Sequence, residues 1–279
     1  MAINVVLCGF VLPSLEFEGI PGKESTKMLA EERRLMIVDW TRTDGRLDAS
    51  EAANRLNVAT ETVRRDLDVL ERRGVLRRVH GGAIALERFT HEYTIPEREN
   101  LNPDAKRRIS ETAARYLPEQ GCVFVDGGTT TEFLAPALRG KPNLLVVTNN
   151  IRLVHRIGDS ETRVHMLAGT VRPTSLSSIG PRTTADLEDL NAVVAFIGAN
   201  GVSQGLRMTA FDTDEAIVKK KMIANAEESI LLVDNSKFGS TYPASFGHAG
   251  EMDRVVCDLD TDIHYVERLN AEGTEVVLA

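Results

Sequence analysis

Apolar residues recur with two different periods along this chain, and the change of period divides it. Over residues 29–40, Leu29, Leu35, Met36, Ile37, Val38 and Trp40 fall among charged positions at roughly helical spacing. Thr43-Asp44-Gly45 stops the run, which predicts a first helix. Ser50 is placed to cap a short second helix with Ala53 and Leu56 facing inward, and Asn57 stands where a tight turn needs a left-handed residue. Thr60 is placed to cap a third helix in which Val63, Leu67 and Leu70 repeat on one face, closed by Gly74. Residues 75–82 then read as a short β-ribbon, so a tight-turn trio of helices is followed by a wing. Beyond Asp104 the pattern becomes one of continuous apolar runs, at 122–125, 144–147, 164–167, 193–197, 230–233 and 255–257, separated by helical stretches. Buried parallel strands have that look, which predicts an α/β domain.

Four segments follow. Residues 28–86 are a winged helix-turn-helix, residues 87–103 a linker with Pro96, Pro103 and little periodicity, and residues 104–279 an α/β domain. Residues 1–27 are an extension that starts apolar and turns to Pro, Gly and Ser. No Lys or Arg precedes the apolar run at 5–12, so a secretory leader lacks its basic region. An over-long start is the favoured reading, Met28 being a natural first residue, and a leader or anchor is the alternative.

Composition narrows the class. A length of 279 residues suits two domains, and no stretch reaches the ~18 apolar residues of a membrane span. Cys8, Cys122 and Cys257 are odd in number and far apart, so a reducing cytoplasm fits better than a disulfide framework. The six histidines form no HExxH or HxxxH pattern, which leaves metal chemistry and a Ser-His-Asp triad without support. A net charge of −8 argues against wholesale coating of nucleic acid, yet residues 55–80 carry seven arginines against four acids. Thr60, Glu61, Thr62, Arg64 and Arg65 lie off the apolar stripe near the start of the third helix, where base edges and phosphates are read, with Arg77, Arg78 and His80 on the wing. The competing reading is a solvated helix with intrahelical pairs such as Arg64 with Asp68. One short recognition helix buries little surface, so a homodimer or homotetramer on repeated half-sites is expected.

The chemistry of the second domain sits after its apolar runs. Asp126-Gly127-Gly128-Thr129-Thr130-Thr131 offers glycines for close backbone approach, hydroxyls to donate, and a helical pattern from Glu132 whose N-terminal dipole would favour an anion. This predicts a phosphate cradle, the alternative being a plain chain reversal. It lacks the GK[ST] of a P-loop and the GxGxxG of dinucleotide folds, so ATP and NAD are poor candidates and no cofactor is expected. Asn149 and Asn150, Gly169, Gly198 and Asn200, and Asp234 and Lys237 end other strands and should converge on one crevice. Glu215 and Lys219, four apart on the next helix, are either an ordinary ion pair or part of that site.

Residues 54–67 (NRLNVATETVRRDL) and 76–83 (LRRVHGGA) resemble the signature of the DeoR family of bacterial transcriptional repressors. The resemblance continues through residues 126–130, 148–150, 198–201, 215–219 and 234–239, and so runs from near Met28 almost to the end. It implies an operator-binding repressor whose sensor domain, related to ribose-5-phosphate isomerase, binds a phosphorylated sugar and then releases DNA. Where the isomerase has Asp-Gly-Ala-Asp this chain has Ile197-Gly198-Ala199-Asn200, and the isomerase's Lys-Gly-Gly-Gly run is missing. Binding without turnover is therefore expected, an isomerase-like enzyme with a DNA-binding appendage being the alternative. Many family members carry Gly-Gly where this chain has Ala168-Gly169. Residues 212–216 and 242–246 resemble members that govern phosphotransferase sugar uptake, which puts fructose-type phosphates first among effectors.

Overall fold

The computed structural model describes residues 29–72, 75–85 and 92–279. The expectations for residues 1–27, for Gly74 and for the first part of the linker lie outside them. In the winged helix, α1 (Ala30–Thr43) opens with the Glu32 carboxylate accepting from the Leu29 amide at 3.0 Å. It is followed by β1 (Arg46–Asp48), α2 (Ala49–Leu56), α3 (Thr60–Arg72), β2 (Leu76–Val79) and β3 (Gly82–Ala85). Ile37, Leu47, Ala52, Val63, Leu67 and Leu76 fill one core between them.

Two capping expectations are corrected. α2 begins one residue before Ser50, and Asp48 caps it by accepting from the amides of Ser50 at 2.8 Å and Glu51 at 3.1 Å. Thr60 is already helical, and the Ala59 carbonyl accepts from the Thr62 amide at 2.8 Å. Asn57 does take the left-handed conformation, with φ 50°. The wing is three-stranded, in the order β1-β3-β2. The added strand is three residues long with Leu47 alone turned inward, too short to show a period.

Part of the expected linker is helix: α4 (Ile95–Asn100) has Pro96 in its first turn, and α5 (Pro103–Ala113) starts on its proline. A proline there forgoes an amide that has no partner anyway, so what reads as a breaker is a helix start. The remaining elements are β4 (Gly121–Val125), α6 (Ala135–Leu138), β5 (Leu144–Thr148), α7 (Ile151–Ile157), β6 (Arg163–Met166), β7 (Thr170–Arg172), β8 (Ser177–Ile179) and α8 (Pro181–Asp186). They continue through β9 (Ala192–Gly198), β10 (Gly201–Val202), β11 (Arg207–Ala210), α9 (Thr213–Ala224), β12 (Ala226–Leu232), β13 (Ala244–His248), β14 (Arg254–Cys257), α10 (Ile263–Ala271) and β15 (Glu275–Leu278).

All six expected strands join one seven-stranded parallel sheet, ordered β15-β14-β12-β9-β4-β5-β6. Ile109, Leu134, Leu138 and Leu153 bring α5, α6 and α7 onto one face. Val218, Met222 and Leu269 bring α9 and α10 onto the other, with Met208 and Phe246 of the antiparallel sheet β10-β11-β13. From β4 the chain winds outward through β5 and β6, and the later strands fill the opposite side from β9. The junction of β4 and β9 is thus the switch point where parallel α/β sheets open a crevice at their carboxyl ends.

Candidate effector cleft and nucleic-acid interface

The crevice is present and polar. Gly127, Gly128, Thr129, Thr130 and Thr131 after β4, Gly198 at the end of β9 with Ala199 and Asn200 beyond it, and Lys237 beyond β12 line one cleft. α9 contributes Glu215 and Lys219, and α4 contributes Arg98. Gly127 has a steric reason: a Cβ there would lie 2.1 Å from Ser177 Oγ. Thr131 Oγ1 donates to the carbonyls of Asp126 at 2.7 Å and Gly128 at 3.0 Å, so this hydroxyl holds the loop's shape. Among the described residues, the Thr129 hydroxyl has no such intramolecular hydrogen bond.

Several expected ligand contacts instead build the walls. Asp126 is 1% exposed; it accepts from the Gly198 amide at 3.0 Å and forms an ion pair with Lys219. Lys219 also donates to the Gly198 carbonyl at 3.1 Å, so the i,i+4 pair with Glu215 is not what holds it. Glu215 lies 3.5 Å from Arg172. Asn150 caps α7 and sends its amide to the Gly128 carbonyl at 3.5 Å, while Asn149 donates to the Ser178 carbonyl at 3.3 Å. Gly169, at φ 141°, packs where a Cβ would lie 2.1 Å from Thr183 Oγ1. Asp234 is fully buried, capping the turn at 235–237 and accepting from Asn102 Nδ2 at 3.0 Å. Burial alone would raise its pKa, but Lys237 and Lys106 hold it below the ordinary carboxylate value.

The dipole argument for the cradle is corrected. After Thr130 comes a 3-10 turn (Thr131–Leu134) and then only the four residues of α6, while Glu132 is buried against Arg152 at 2.9 Å and Arg156 at 2.6 Å. So short a helix sums few peptide dipoles; the cations at the cleft are Arg98, Lys219 and Lys237, with Lys219 paired to Asp126 and Glu215 beside them.

Sequence reasoning missed Arg98, Arg172 and Lys106, whose positions in a connector, a short strand and an amphipathic helix carry no local signal. Lys106 is 1% exposed and donates to the Arg98 carbonyl. Burial, with Lys237 nearby, pulls its pKa from the usual 10.5 down to about 7. Between those values the unfolded chain binds the extra proton, so stability should rise with pH from about 7 to 10.5, by on the order of 1.4 kcal/mol per unit, with no Lys106 slope below 7. Lys106→Met should flatten that limb in urea midpoints measured from pH 6 to 9; an unchanged slope would assign it to another group.

The winged helix presents a second surface. Glu61, Arg64 and Arg65 are exposed and Thr60 and Thr62 half-buried at the start of α3. Glu61 lies 3.8 Å from Arg64 and 3.7 Å from Arg65, exposed pairs that are weak and easily exchanged for a phosphate. Arg77 and His80 are exposed, His80 at the wing's turn. Arg78 is used internally: it pairs with Asp68, donates to the Arg64 carbonyl at 3.0 Å, and so ties the wing to α3. Asp66 is buried and accepts from Arg33 Nε at 2.5 Å and Arg34 Nε at 2.9 Å, which fixes α1 against α3. Among the described residues, no group of His, Cys, Asp or Glu is placed to hold a metal, and no helix is long and apolar enough to cross a membrane.

A winged helix-turn-helix joined to an α/β domain with a polar cleft at its switch point defines a DNA-binding regulator with a sensor domain. Residues 33–89 match the DeoR-like helix-turn-helix domain and residues 101–259 the DeoR C terminal sensor domain. The chain belongs to the DeoR family of transcriptional regulators. It is 32% identical over 233 residues to the uncharacterized HTH-type transcriptional regulator FruR of Bacillus subtilis, covering 84% of this chain and 93% of that protein. It is 34% identical over 239 residues to the lactose phosphotransferase system repressor of Streptococcus mutans, covering 84% and 94%. Ribose 5-phosphate isomerase A of Methanocaldococcus jannaschii aligns over 49% of this chain and 55% of its own with 19% identity and a TM-score of 0.36.

Proposed function

We propose that the protein is a repressor of sugar-uptake or catabolic genes, acting in the cytoplasm as a homo-oligomer and released from its operator by a phosphorylated sugar, with fructose phosphates first in line. The observation that carries the reading is the Gly127–Thr130 loop facing Lys219 and Lys237 across one cleft. Backbone amides, free hydroxyls and two ammonium groups suit a phosphate, and Glu215 and Asn200 are placed to accept or donate to sugar hydroxyls. The names of the relatives point to the same class of genes. Operator contact falls to Thr60, Glu61, Thr62, Arg64, Arg65, Arg77 and His80, with Arg78 as a brace.

Catalysis is not part of this reading. Asn200 spends its side-chain oxygen on the Phe211 amide at 3.2 Å, Glu215 at the cleft lies 3.5 Å from Arg172, and Asp126 is buried behind the loop in its pair with Lys219. The pair of carboxylates that the isomerase motif would supply at residues 197–200 is replaced by Ile197 and Asn200, which leaves no acid–base pair there to move a proton between carbons.

A ligand frees the operator if it prefers the conformation that binds DNA poorly. The test is release from an operator selected out of genomic fragments, titrated with fructose 1-phosphate, fructose 6-phosphate, ribose 5-phosphate and free fructose. The phosphates should work and the free sugar should fail. Thr129→Ala removes one donor to a charged acceptor, and so should hold the operator normally while needing about ten- to hundredfold more effector. Equal potency of free fructose, or normal release in Thr129→Ala, would reduce the loop to a chain reversal. Turnover of any of these sugar phosphates would restore the isomerase reading.

A further inference from the structure

We propose that the connector closes the cleft: Arg98, carried on α4, binds the ligand's anionic group directly, so the segment joining the sensor to the winged helix is itself part of the binding site. The inference rests on the sugar-phosphate reading of the cleft and adds the residue through which occupancy is felt outside it.

Arg98 lines the cleft with Thr129, Lys219 and Lys237 although it belongs to the segment that arrives from the wing. Its Nη2 donates to the Thr174 carbonyl at 2.6 Å, in the loop between β7 and β8. Its Nε is buried and has no partner. A buried guanidinium nitrogen without an acceptor is costly, and an acceptor that arrives with the ligand removes the cost. Burial, with Arg172 and Arg152 nearby, also lowers the Arg98 pKa, and Glu215 and Glu92 oppose the shift.

The rest of the connector is tied to the same wall. Glu92 pairs with Arg172, which also lies 3.3 Å from Asp212 and 3.5 Å from Glu215. Glu99 pairs with Arg152, and Lys106 donates to the Arg98 carbonyl. One arginine, Arg172, thus bridges a cleft carboxylate and a connector carboxylate, while another, Arg98, reaches from the connector into the cleft. A ligand that engages Arg98 and Glu215 alters both ties at once, which gives the winged helix a physical means of responding to an anion bound elsewhere.

Calorimetry and amide hydrogen exchange on the full chain test this, with fructose 1-phosphate, fructose 6-phosphate, ribose 5-phosphate and inorganic phosphate as probes. Arg98→Gln should weaken the phosphate that binds best by about ten- to hundredfold, and Arg98→Lys should recover part of the loss. Bound phosphate should slow exchange at the amides of residues 95 and 97–100 in the wild type, and in Thr129→Ala once saturated, but not in saturated Arg98→Gln. Wild-type affinity in Arg98→Gln, or unaltered exchange at those amides on ligand binding, overturns the inference while leaving the cleft assignment intact. Failure of every phosphate to bind the wild type, or unchanged affinity in Thr129→Ala, overturns the cleft assignment and this inference with it. If Arg98→Gln does not fold, the wild-type exchange pattern and the Arg98→Lys affinity decide the matter.

Discussion

Asp126→Ala is expected to destabilise the sensor domain by about 3–5 kcal/mol, because it removes one member of a buried ion pair and strands the other. Asp126 and Lys219 are 1% and 5% exposed, so neither can turn to water. With the carboxylate gone, Lys219 retains the Gly198 carbonyl at 3.1 Å, which accepts a hydrogen bond but carries no compensating charge. The Gly198 amide loses its acceptor as well. In a domain of this size each kcal/mol shifts the melting point by roughly 2–4 °C, so a fall of roughly 6–20 °C should appear in a thermal scan. Lys219→Met should be comparably damaging for the mirror reason. The double variant Asp126→Asn, Lys219→Met should regain most of the loss, since a buried pair contributes little net stability over a neutral replacement of similar volume. Losses in the single variants Asp126→Asn and Lys219→Met that simply add in the double variant, or a loss in Asp126→Ala below about 1 kcal/mol, would show that the two charges do not depend on each other.

What the sequence made legible follows from where each signal is stored. A strand buried on both faces must be apolar throughout, so the runs at β4, β5, β9, β12 and β14 marked the central sheet directly, while β6, an edge strand with Arg163 and His165 exposed, was marked by Val164, Met166 and the buried Leu167 that follows it. β15 escaped because it is an edge strand with partly exposed side chains, and its short pattern resembles many loops. The loop at 127–131 was legible because glycine and threonine act through backbone and local geometry, which spacing records. Asp126, Asn150 and Asp234 were legible as important and not as walls, since which polar group faces a cleft and which faces its neighbour depends on tertiary approach. Glu215 and Lys219 show this most plainly: four apart on α9, they could have paired, but Asp126 arrives from β4 and takes the lysine. Arg98 and Lys106 look like ordinary solvated charges in the chain, and only the fold of α4 and α5 against the sheet buries them. Asp66, one acid among many arginines, becomes a bracket for α1 by the same kind of approach.

Gly82→Ala should separate the wing from the rest of the winged helix and reduce operator affinity at least a hundredfold, with effector binding by the sensor domain unchanged. A Cβ at this position would lie 1.8 Å from the Leu47 carbonyl oxygen, 2.9 Å from its carbon and 3.2 Å from the Asp48 Cα. All three are backbone atoms of β1, which pairs with β3 in the register Leu47 to Ala83 and Asp48 to Gly82, so no side-chain rotation relieves the clash. β1 has to move away, and three things move with it. Leu47 is withdrawn from the core, Asp48 is displaced as the cap of α2, and the bond from the Ala49 amide to the Gly81 carbonyl at 2.8 Å is strained. Overpacking costs about 1–3 kcal/mol and loss of a cap about 1 kcal/mol. Their sum, roughly 2–4 kcal/mol, is a large share of the stability of a domain of about 60 residues. Gly81→Ala is the control. Gly81 has φ 83°, so alanine there is strained, but its Cβ would meet nothing closer than Asp48 Oδ2 at 3.8 Å. It should cost about 1 kcal/mol and leave the wing paired. Titrating both variants against operator DNA separates contact from conformation: if Gly82→Ala binds within threefold of Gly81→Ala, close approach of β1 to β3 is not what places the wing on DNA.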